Sequence, residues 1–287
     1  MVVLVTGASG QLGQSLQSIA QKYPEIAFVF CDSKTLDITK PELIEQVFNQ
    51  FQPDFCINAA AYTAVDKAES EPQQARLINV VGAKNIAEAC KKFDSVLLHI
   101  STDFVFDGTK NSPYNESDST HPKGVYGQTK LEGEIAIQEA WHKHIIIRTS
   151  WVYSQFGHNF MKTMLRLATE RSEISVVNDQ TGTPTHAIDL AEVLVKICTS
   201  IFLPRLRDPS SNFFGIFHFS NEGQCTWYDF AKAIFAKNQL DIKVSAIPTS
   251  SFPTPAQRPA YSVLDKSKIK SVFGVEINTW ETSLKNM

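Results

Sequence analysis

The sequence predicts an α/β fold: a doubly wound parallel sheet with a smaller C-terminal lobe interleaved with it. Three observations predict it. A short apolar run, Val2 to Val5, leads at once into Thr6-Gly7-Ala8-Ser9-Gly10-Gln11-Leu12-Gly13. Strand-like and helix-like segments then alternate four times in roughly the first 100 residues, the pattern of parallel strands joined by right-handed crossovers. From about Trp151 onward the alternation becomes less regular.

Taken in order, Val2 to Val5 suits a strand buried on both faces. The glycines that follow are spaced Gly-x-x-Gly-x-x-Gly and precede a helical pattern from Gln14 to Lys22. Glycines let the backbone turn tightly and approach a pyrophosphate, and a helix N-terminus presents free N–H groups to it. Ala27 to Cys31 reads as the second strand and ends in Asp32-Ser33-Lys34. An acidic residue about 20 positions after the glycines commonly accepts hydrogen bonds from the adenosine ribose of NAD. Ser33 and Lys34 could instead hold a 2′-phosphate, so the residues leave NADPH and NADH both open. Leu36-Asp37-Ile38-Thr39 precedes a helix from Pro41 to Phe51, with Thr39 as the expected N-cap. Asp54 to Asn58 is the third strand and runs into Ala59-Ala60-Ala61-Tyr62-Thr63, small residues against which a planar group can lie. Ala64 to Glu71 and Gln73 to Lys91 read as helical, and Val96 to Ser101 as the fourth strand. Ligands sit beyond the carboxyl ends of the strands in such Rossmann-like sheets, so the glycine loop, Asp32-Ser33, Ala59 to Thr63 and Ser101 to Phe104 should converge on one crevice.

The chemistry lies further on. Ser101-Thr102-Asp103 ends the fourth strand and puts a hydroxyl at that crevice. Val125-Tyr126-Gly127-Gln128-Thr129-Lys130 leads into a helical pattern from Lys130 to Trp141. A spacing of four places the phenol and the ammonium on one helical face. A free Tyr has a pKa of about 10, and a neighbouring cation is expected to lower it toward working range. A dinucleotide site, a Thr hydroxyl, a Tyr and a Lys together suit hydride transfer to a carbonyl: Tyr126 protonates the developing alkoxide, Thr102 bonds the same oxygen, and Lys130 holds the nicotinamide ribose.

Composition narrows the alternatives. The chain has 287 residues, 43% of them hydrophobic, and a net charge of −3. That charge gives no broad drive toward nucleic acid or an anionic membrane. No apolar run approaches the roughly 20 residues a spanning helix needs, and Met1-Val2-Val3 opens without a basic region or a cleavage site. Cys31, Cys56, Cys90, Cys198 and Cys225 are scattered through apolar contexts, which suits small buried side chains in a reducing cytoplasm. No His-Glu-x-x-His occurs, and His142 and His144 would face different ways on a helix, so no metal is expected.

The ordered motifs resemble the extended short-chain dehydrogenase/reductases and, among them, the family of dTDP-4-dehydrorhamnose reductases. The resemblance spans nearly the whole chain. It rests on the glycine loop, Leu36-Asp37-Ile38-Thr39, Asn58 through Glu69, Ser101 through Gly108, Tyr126 through Glu134, Arg148 through Tyr153, Asn178 through Thr185, and Arg258-Pro259. The resemblance implies NAD(P)H-dependent reduction of the 4-keto group of dTDP-4-dehydro-β-L-rhamnose, with Thr102, Tyr126 and Lys130 catalytic. It implies cofactor contacts from Gly7, Ser9, Gly10, Gln11, Leu12, Asp32, Ser33, Asp37, Ile38, Ala59, Ala60, Ala61 and Tyr62, besides Tyr126 and Lys130. It implies substrate contacts from Thr63, Val65, Thr102, Asp103, Phe104, Trp151 and Arg258. Trp151 packs the sugar ring in the family, although core packing is an equal alternative. Arg258 could reach the diphosphate or lie in solvent. Nucleotide-sugar 4,6-dehydratases carry Thr-Asp-Glu where this chain has Thr102-Asp103-Phe104, and an apolar ring cannot shuttle a proton.

Two other readings fit the same motifs: a reductase or epimerase of another nucleotide sugar, and a non-catalytic NADP-binding regulator resembling the β subunit of methionine adenosyltransferase. Intact Thr102, Tyr126 and Lys130 lean against the second. Some relatives hold Mg²⁺ across a dimer with an acidic residue in the helix after the glycines. Here Gln14-Ser15 stand there, leaving a monomer or a homodimer without metal as the expectation.

The rest of the chain should divide as residues 1–150, binding NAD(P), and 151–287, mainly a substrate lobe, with about 187–220 returning to the first domain. Asn159 to Glu170 reads as a helix, Ile174 to Val177 as a strand and Ala187 to Ser200 as a helix. Leu203 to Asn212 reads as an exposed loop and Phe213 to Phe219 as a strand back in the main sheet. Thr226 should cap a helix running to about Lys237. Pro248 to Pro259 should be a loop over the sugar.

Overall fold

The computed structural model describes residues 1–203 and 213–287, so most of the loop expected over Leu203 to Asn212 lies outside the described residues. The chain opens with β1 (Val2–Thr6), α1 (Gln11–Ile19), β2 (Ala27–Cys31), α2 (Pro41–Phe51) and β3 (Phe55–Asn58). Two short helices follow, α3 (Val65–Ala68) and α4 (Pro72–Arg76). A π-helical turn over Leu77–Gly82 then leads into α5 (Ala83–Lys92). Next come β4 (Val96–Thr102), α6 (Val125–Ala140) and β5 (His144–Thr149).

The more irregular part contains β6 (Val152–Tyr153), α7 (Phe160–Glu170), β7 (Glu173–Val177), β8 (Thr181–Gly182), β9 (Thr185–His186) and α8 (Ala187–Phe202). It continues with β10 (Gly215–His218), β11 (Cys225–Thr226), α9 (Trp227–Lys237), β12 (Lys243–Ile247), α10 (Ser267–Phe273) and α11 (Trp280–Lys285). Among the described residues no helix is long and apolar enough to cross a membrane.

Six strands form one parallel sheet in the order β10-β5-β4-β3-β1-β2. The chain leaves β1 toward β2 and then crosses to the other side for β3, so the order reverses between β1 and β3. That reversal opens a crevice at the carboxyl ends of these strands. Apolar layers cover both faces. One packs Leu12, Leu16 and Ile19 of α1, Leu190 and Leu194 of α8, and Ile269 of α10 against Val3, Val5 and Ile147. The other packs Ile44 and Phe48 of α2, Ile86 and Cys90 of α5, and Ile137 of α6 against Leu4, Cys56 and Ile146. All five cysteines are free and buried.

The lobe has its own core, in which Met161 and Met164 of α7 meet Phe230 and Ile234 of α9, with Trp280 and Leu284 of α11. Its central pairing is β7 beside β12, parallel, with Glu173 opposite Lys243 and Val177 opposite Ile247. Thr226 caps α9 as expected, in a reciprocal capping box with Asp229.

Several local expectations are corrected. The first helix begins at Gln11 rather than Gln14, because Gly10 is already extended and the helix takes in the third glycine. Lys40, not Thr39, precedes α2; the Thr39 hydroxyl instead donates to Asp37 Oδ1 at 2.8 Å. The helix expected from Gln73 to Lys91 is interrupted by the π turn. There Asn79 turns its side chain out to accept from the Tyr62 N–H at 2.9 Å and to donate to Thr129 Oγ1 at 3.1 Å. The helix of Lys130 begins earlier, at Val125, and so places Tyr126 in its first turn.

Candidate active site

A cleft of about 1460 Å³ runs along the carboxyl ends of the sheet and into the lobe. Every sequence-predicted site residue lines it except Tyr62. Tyr62 points its hydroxyl elsewhere, donating to Glu71 Oε2 at 2.8 Å.

At the crevice, Gly7 has φ +66° and lies so close to β3 that a Cβ would stand 2.6 Å from the Ala60 nitrogen and 2.7 Å from the Ala59 carbonyl. A Cβ on Gly13 would stand 2.5 Å from Ala8 Cα. Gly10 is different: its missing Cβ meets only the Gly7 carbonyl oxygen, at 3.2 Å, and otherwise faces open space. The loop thus combines tight packing at its two ends with room at its middle, beside the unsatisfied N–H groups that begin α1. That arrangement fits a dinucleotide pyrophosphate. Asp32 Oδ1 accepts from the N–H groups of Lys34 and Thr35, both at 3.0 Å, and these bonds hold its carboxyl below the usual range. Gln11 is tied to the lobe, its side-chain oxygen accepting from Ser154 and Asn159 at 3.1 and 2.9 Å.

The catalytic candidates come together where β4 ends and α6 begins. Thr102 Oγ1 donates to Asp103 Oδ1 at 3.0 Å and accepts from the Phe104 N–H at 3.2 Å. The Phe104 ring sits edge-on to Tyr126, centroids 5.6 Å apart. The Lys130 amine donates to the Ile100 carbonyl at 2.7 Å and lies 3.2 Å from His99 Nε2. Beneath it, Glu134 takes a forked, fully buried ion pair from Arg148 and a hydrogen bond from Ser101, clamping α6 onto β4 and β5.

The electrostatics correct one expectation. Lys130 does not lower the Tyr126 phenol in this structure. Burial pushes the phenol up to about 12, opposed by the Thr102 hydroxyl and reinforced by the Asp103 charge. Burial also pulls Lys130 down to about 8, opposed by Glu134. Asp103 is lifted to about 6 by burial, against its hydrogen bonds from Ser262 and Thr102. Tyr126 therefore stays protonated at neutral pH, which is the form an acid needs.

On the lobe side, the Trp151 indole stacks on Trp227 with centroids 3.5 Å apart and planes 9° from parallel. Trp151 has φ +48°, a left-handed conformation that bulky residues rarely adopt. Gly182 makes room for the ring, since a Cβ there would stand 2.5 Å from it. Trp227 Nε1 donates to Gln180 Oε1 at 3.2 Å, which fixes the second indole. Trp227 and Gln180 both line the cleft, and neither was singled out as a site residue by the sequence. Arg258 is neither free nor lost in solvent: its two terminal nitrogens fork onto Asp66, at 2.5 and 2.6 Å, and the pair lines the cleft. Among the described residues no group of three or more His, Cys, Asp or Glu could hold a metal ion.

A family model described as "RmlD substrate binding domain" matches residues 1–287. The chain belongs to this family. It is 43% identical to the dTDP-4-dehydrorhamnose reductase of Aggregatibacter actinomycetemcomitans, over 99% of this chain and 97% of that protein. The enzyme of that name from Escherichia coli K12 is 42% identical, over 100% and 97%. Among solved structures, a dTDP-4-dehydrorhamnose reductase from Bacillus anthracis in complex with NADP superimposes with a TM-score of 0.91. It is 38% identical, over 99% of this chain and 97% of that one. A UDP-glucose 4-epimerase from Thermus thermophilus shares the fold at 18% identity, TM-score 0.77, over 100% and 98% of the two chains.

Proposed function

We propose that this protein reduces the 4-keto group of dTDP-4-dehydro-β-L-rhamnose to give dTDP-β-L-rhamnose, with NADPH or NADH as reductant and Tyr126 as proton donor. The observation that carries the reading is the meeting of the Thr102 hydroxyl, the Tyr126 phenol and the Lys130 amine in one cleft with a backbone cradle open only at Gly10. Gly7, Ser9, Gly10, Gln11 and Leu12 cradle the pyrophosphate, Asp32 and Ser33 meet the adenosine ribose, and Asp37, Ile38 and Ala59 to Ala61 line the adjoining wall. When bound, the reduced nicotinamide supplies the hydride that the sugar C4 receives. Tyr126, protonated at neutral pH, gives its proton to the oxygen as negative charge develops there. Thr102 steadies that oxygen, and Lys130, with two of its bonds spent on Ile100 and His99, keeps one N–H for the cofactor ribose.

The sugar lies against Trp151, with Thr63, Val65, Asp103 and Phe104 around it. Arg258, held by Asp66, stands at the diphosphate as a net neutral pair, so it positions rather than neutralises. Residues 1–150 carry the cofactor and 151–287 mainly the sugar nucleotide. The protein works in the cytoplasm as a monomer or homodimer, a setting that suits its free, buried thiols. The test is an assay of the purified protein with each cofactor. Oxidation of NADPH or NADH with dTDP-4-dehydrorhamnose and not with UDP-4-keto sugars is expected. Absence of oxidation of either cofactor overturns the reading.

A further inference from the structure

Behind the catalytic amine runs a buried polar chain that the reaction as described does not use. His99, on β4, is 1% exposed. Its Nε2 lies 3.2 Å from Lys130 Nζ, and its Nδ1 lies 3.1 Å from Asn58 Nδ2. Asn58 Oδ1 in turn accepts from Thr6 Oγ1 at 2.6 Å, and the Ala60 N–H points at both, at 3.3 and 3.4 Å. The chain therefore runs from Lys130 to the loop of small residues after β3 without leaving the interior. We propose that His99 is a positioning residue for Lys130: its ring accepts a hydrogen bond from the ammonium and, through Asn58 and Thr6, ties that ammonium to the cofactor-facing loop at Ala60.

The bonding rules of the groups make the tie specific. A neutral imidazole has one donor and one acceptor, an ammonium has only donors, and an amide offers both ends. Burial, together with the neighbouring Lys130 charge, holds His99 well below its usual range, so the ring is neutral. For Lys130 to be a cation, Nε2 must be the acceptor, so Nδ1 carries the hydrogen and needs an oxygen opposite it. A half-turn of the Asn58 amide supplies that oxygen and puts its NH2 on Thr6 Oγ1, and the Ala60 N–H then keeps Thr6 Oγ1, at 3.4 Å, as its acceptor. In the other orientation Nδ1 accepts from Asn58, Nε2–H points at Lys130, and only a neutral amine can face it. The Asn58 orientation and the charge on Lys130 are thus coupled. The charged and titratable groups around the amine are Glu134 and Tyr126 on its own helix, His99 on β4, Arg148 on β5, already paired with Glu134, and Asp103 after β4.

This inference rests on the reading that a cationic Lys130 holds the cofactor ribose, and the experiment separates the two. Lys130 sits at about 8; losing an acceptor disfavours the cation, so the alkaline limb of activity should move to lower pH. His99→Gln returns an amide oxygen near the Nε2 position, and His99→Asn returns one near Nδ1 only. Cofactor Kd and the pH profile of kcat would be measured for both variants, for His99→Leu and for Lys130→Met. Leu and Asn should each weaken cofactor binding about tenfold and move the alkaline limb down by about one pH unit, whereas Gln should restore both. Melting curves would show whether the Leu variant folds; should it not, the Gln and Asn variants still decide. Equal behaviour of Gln and Asn, or an unmoved limb in Asn, overturns the role of His99. An unchanged cofactor Kd in Lys130→Met would overturn the reading of Lys130 itself.

Discussion

The two walls of the cleft are built from different material. The wall at the ends of β1 and β3 is backbone: Gly7 and Gly13 pack against main-chain atoms, and the one open position, Gly10, sits between them. The wall from the lobe is aromatic: Trp151 lies on Trp227, Gln180 pins the second ring, and Gly182 accommodates the first. A backbone wall suits a ligand whose recognised part is a pyrophosphate, because N–H groups do the binding. An aromatic wall suits a sugar nucleotide, whose apolar faces need flat surface. The difference also predicts how each wall fails. Backbone crowded by backbone cannot yield, whereas a stacked indole can shift and leave the fold intact.

The largest effect expected is at the glycine loop. Gly13→Ala drives a methyl into the main chain of Gly7 and Ala8 and should abolish soluble, folded protein. Gly10→Val should keep the melting temperature close to wild type and lose dinucleotide binding, because the added side chain occupies the open space. Melting curves beside cofactor titrations separate the two, and a Gly10→Val variant that binds normally would break the comparison at its root. Next in size, Tyr126→Phe should lower kcat about 10²- to 10⁴-fold, the usual range for loss of a general acid, with cofactor Kd within about twofold of wild type. Steady-state kinetics with a cofactor titration would check it.

Smaller again, Gly182→Ala pushes on the Trp151 ring and should raise KM for the sugar nucleotide about tenfold, or about 1.4 kcal/mol, with cofactor Kd unchanged. A shift in cofactor affinity instead would show that the walls are not independent. Smallest, Thr226→Ala removes the capping box of α9 and should cost about 1 kcal/mol, seen as a fall in Tm of a few degrees with kinetics unaltered.

How much was legible in the sequence follows the same division. The strand-glycine-helix opening is a local signal, and it located both the start of the sheet and the backbone wall of the cleft. The pairing of β7 with β12 is not local: Ile174 to Val177 was recognisable as a strand, but nothing near it says that its partner lies at Lys243–Ile247. Thr226 marks the start of a helix in the sequence, and only the fold reveals that the ring of the next residue, Trp227, completes the Trp151 stack. A large aromatic directly after a good cap, following a segment already singled out around Gln180, was the available signal. Arg258 and Asp66 carry opposite charges in two motifs of the sequence, yet their separation of 192 positions hides the fork between them. The phenol of Tyr126 shows the opposite limit. Residue types suggested a lysine effect, while burial, which depends on the whole fold, sets the direction.

The parallel pairing of β7 and β12 bears on how the chain is made. As a ribosome releases it from the N-terminus, β1 through β5 can find one another early, and the glycine loop with them. Glu173 to Val177 must then wait, with an unpaired edge, until Lys243 to Ile247 has emerged, and Trp280 and Leu284 arrive later still to close that hydrophobic centre. The interval between is when an exposed strand invites chaperones or aggregation.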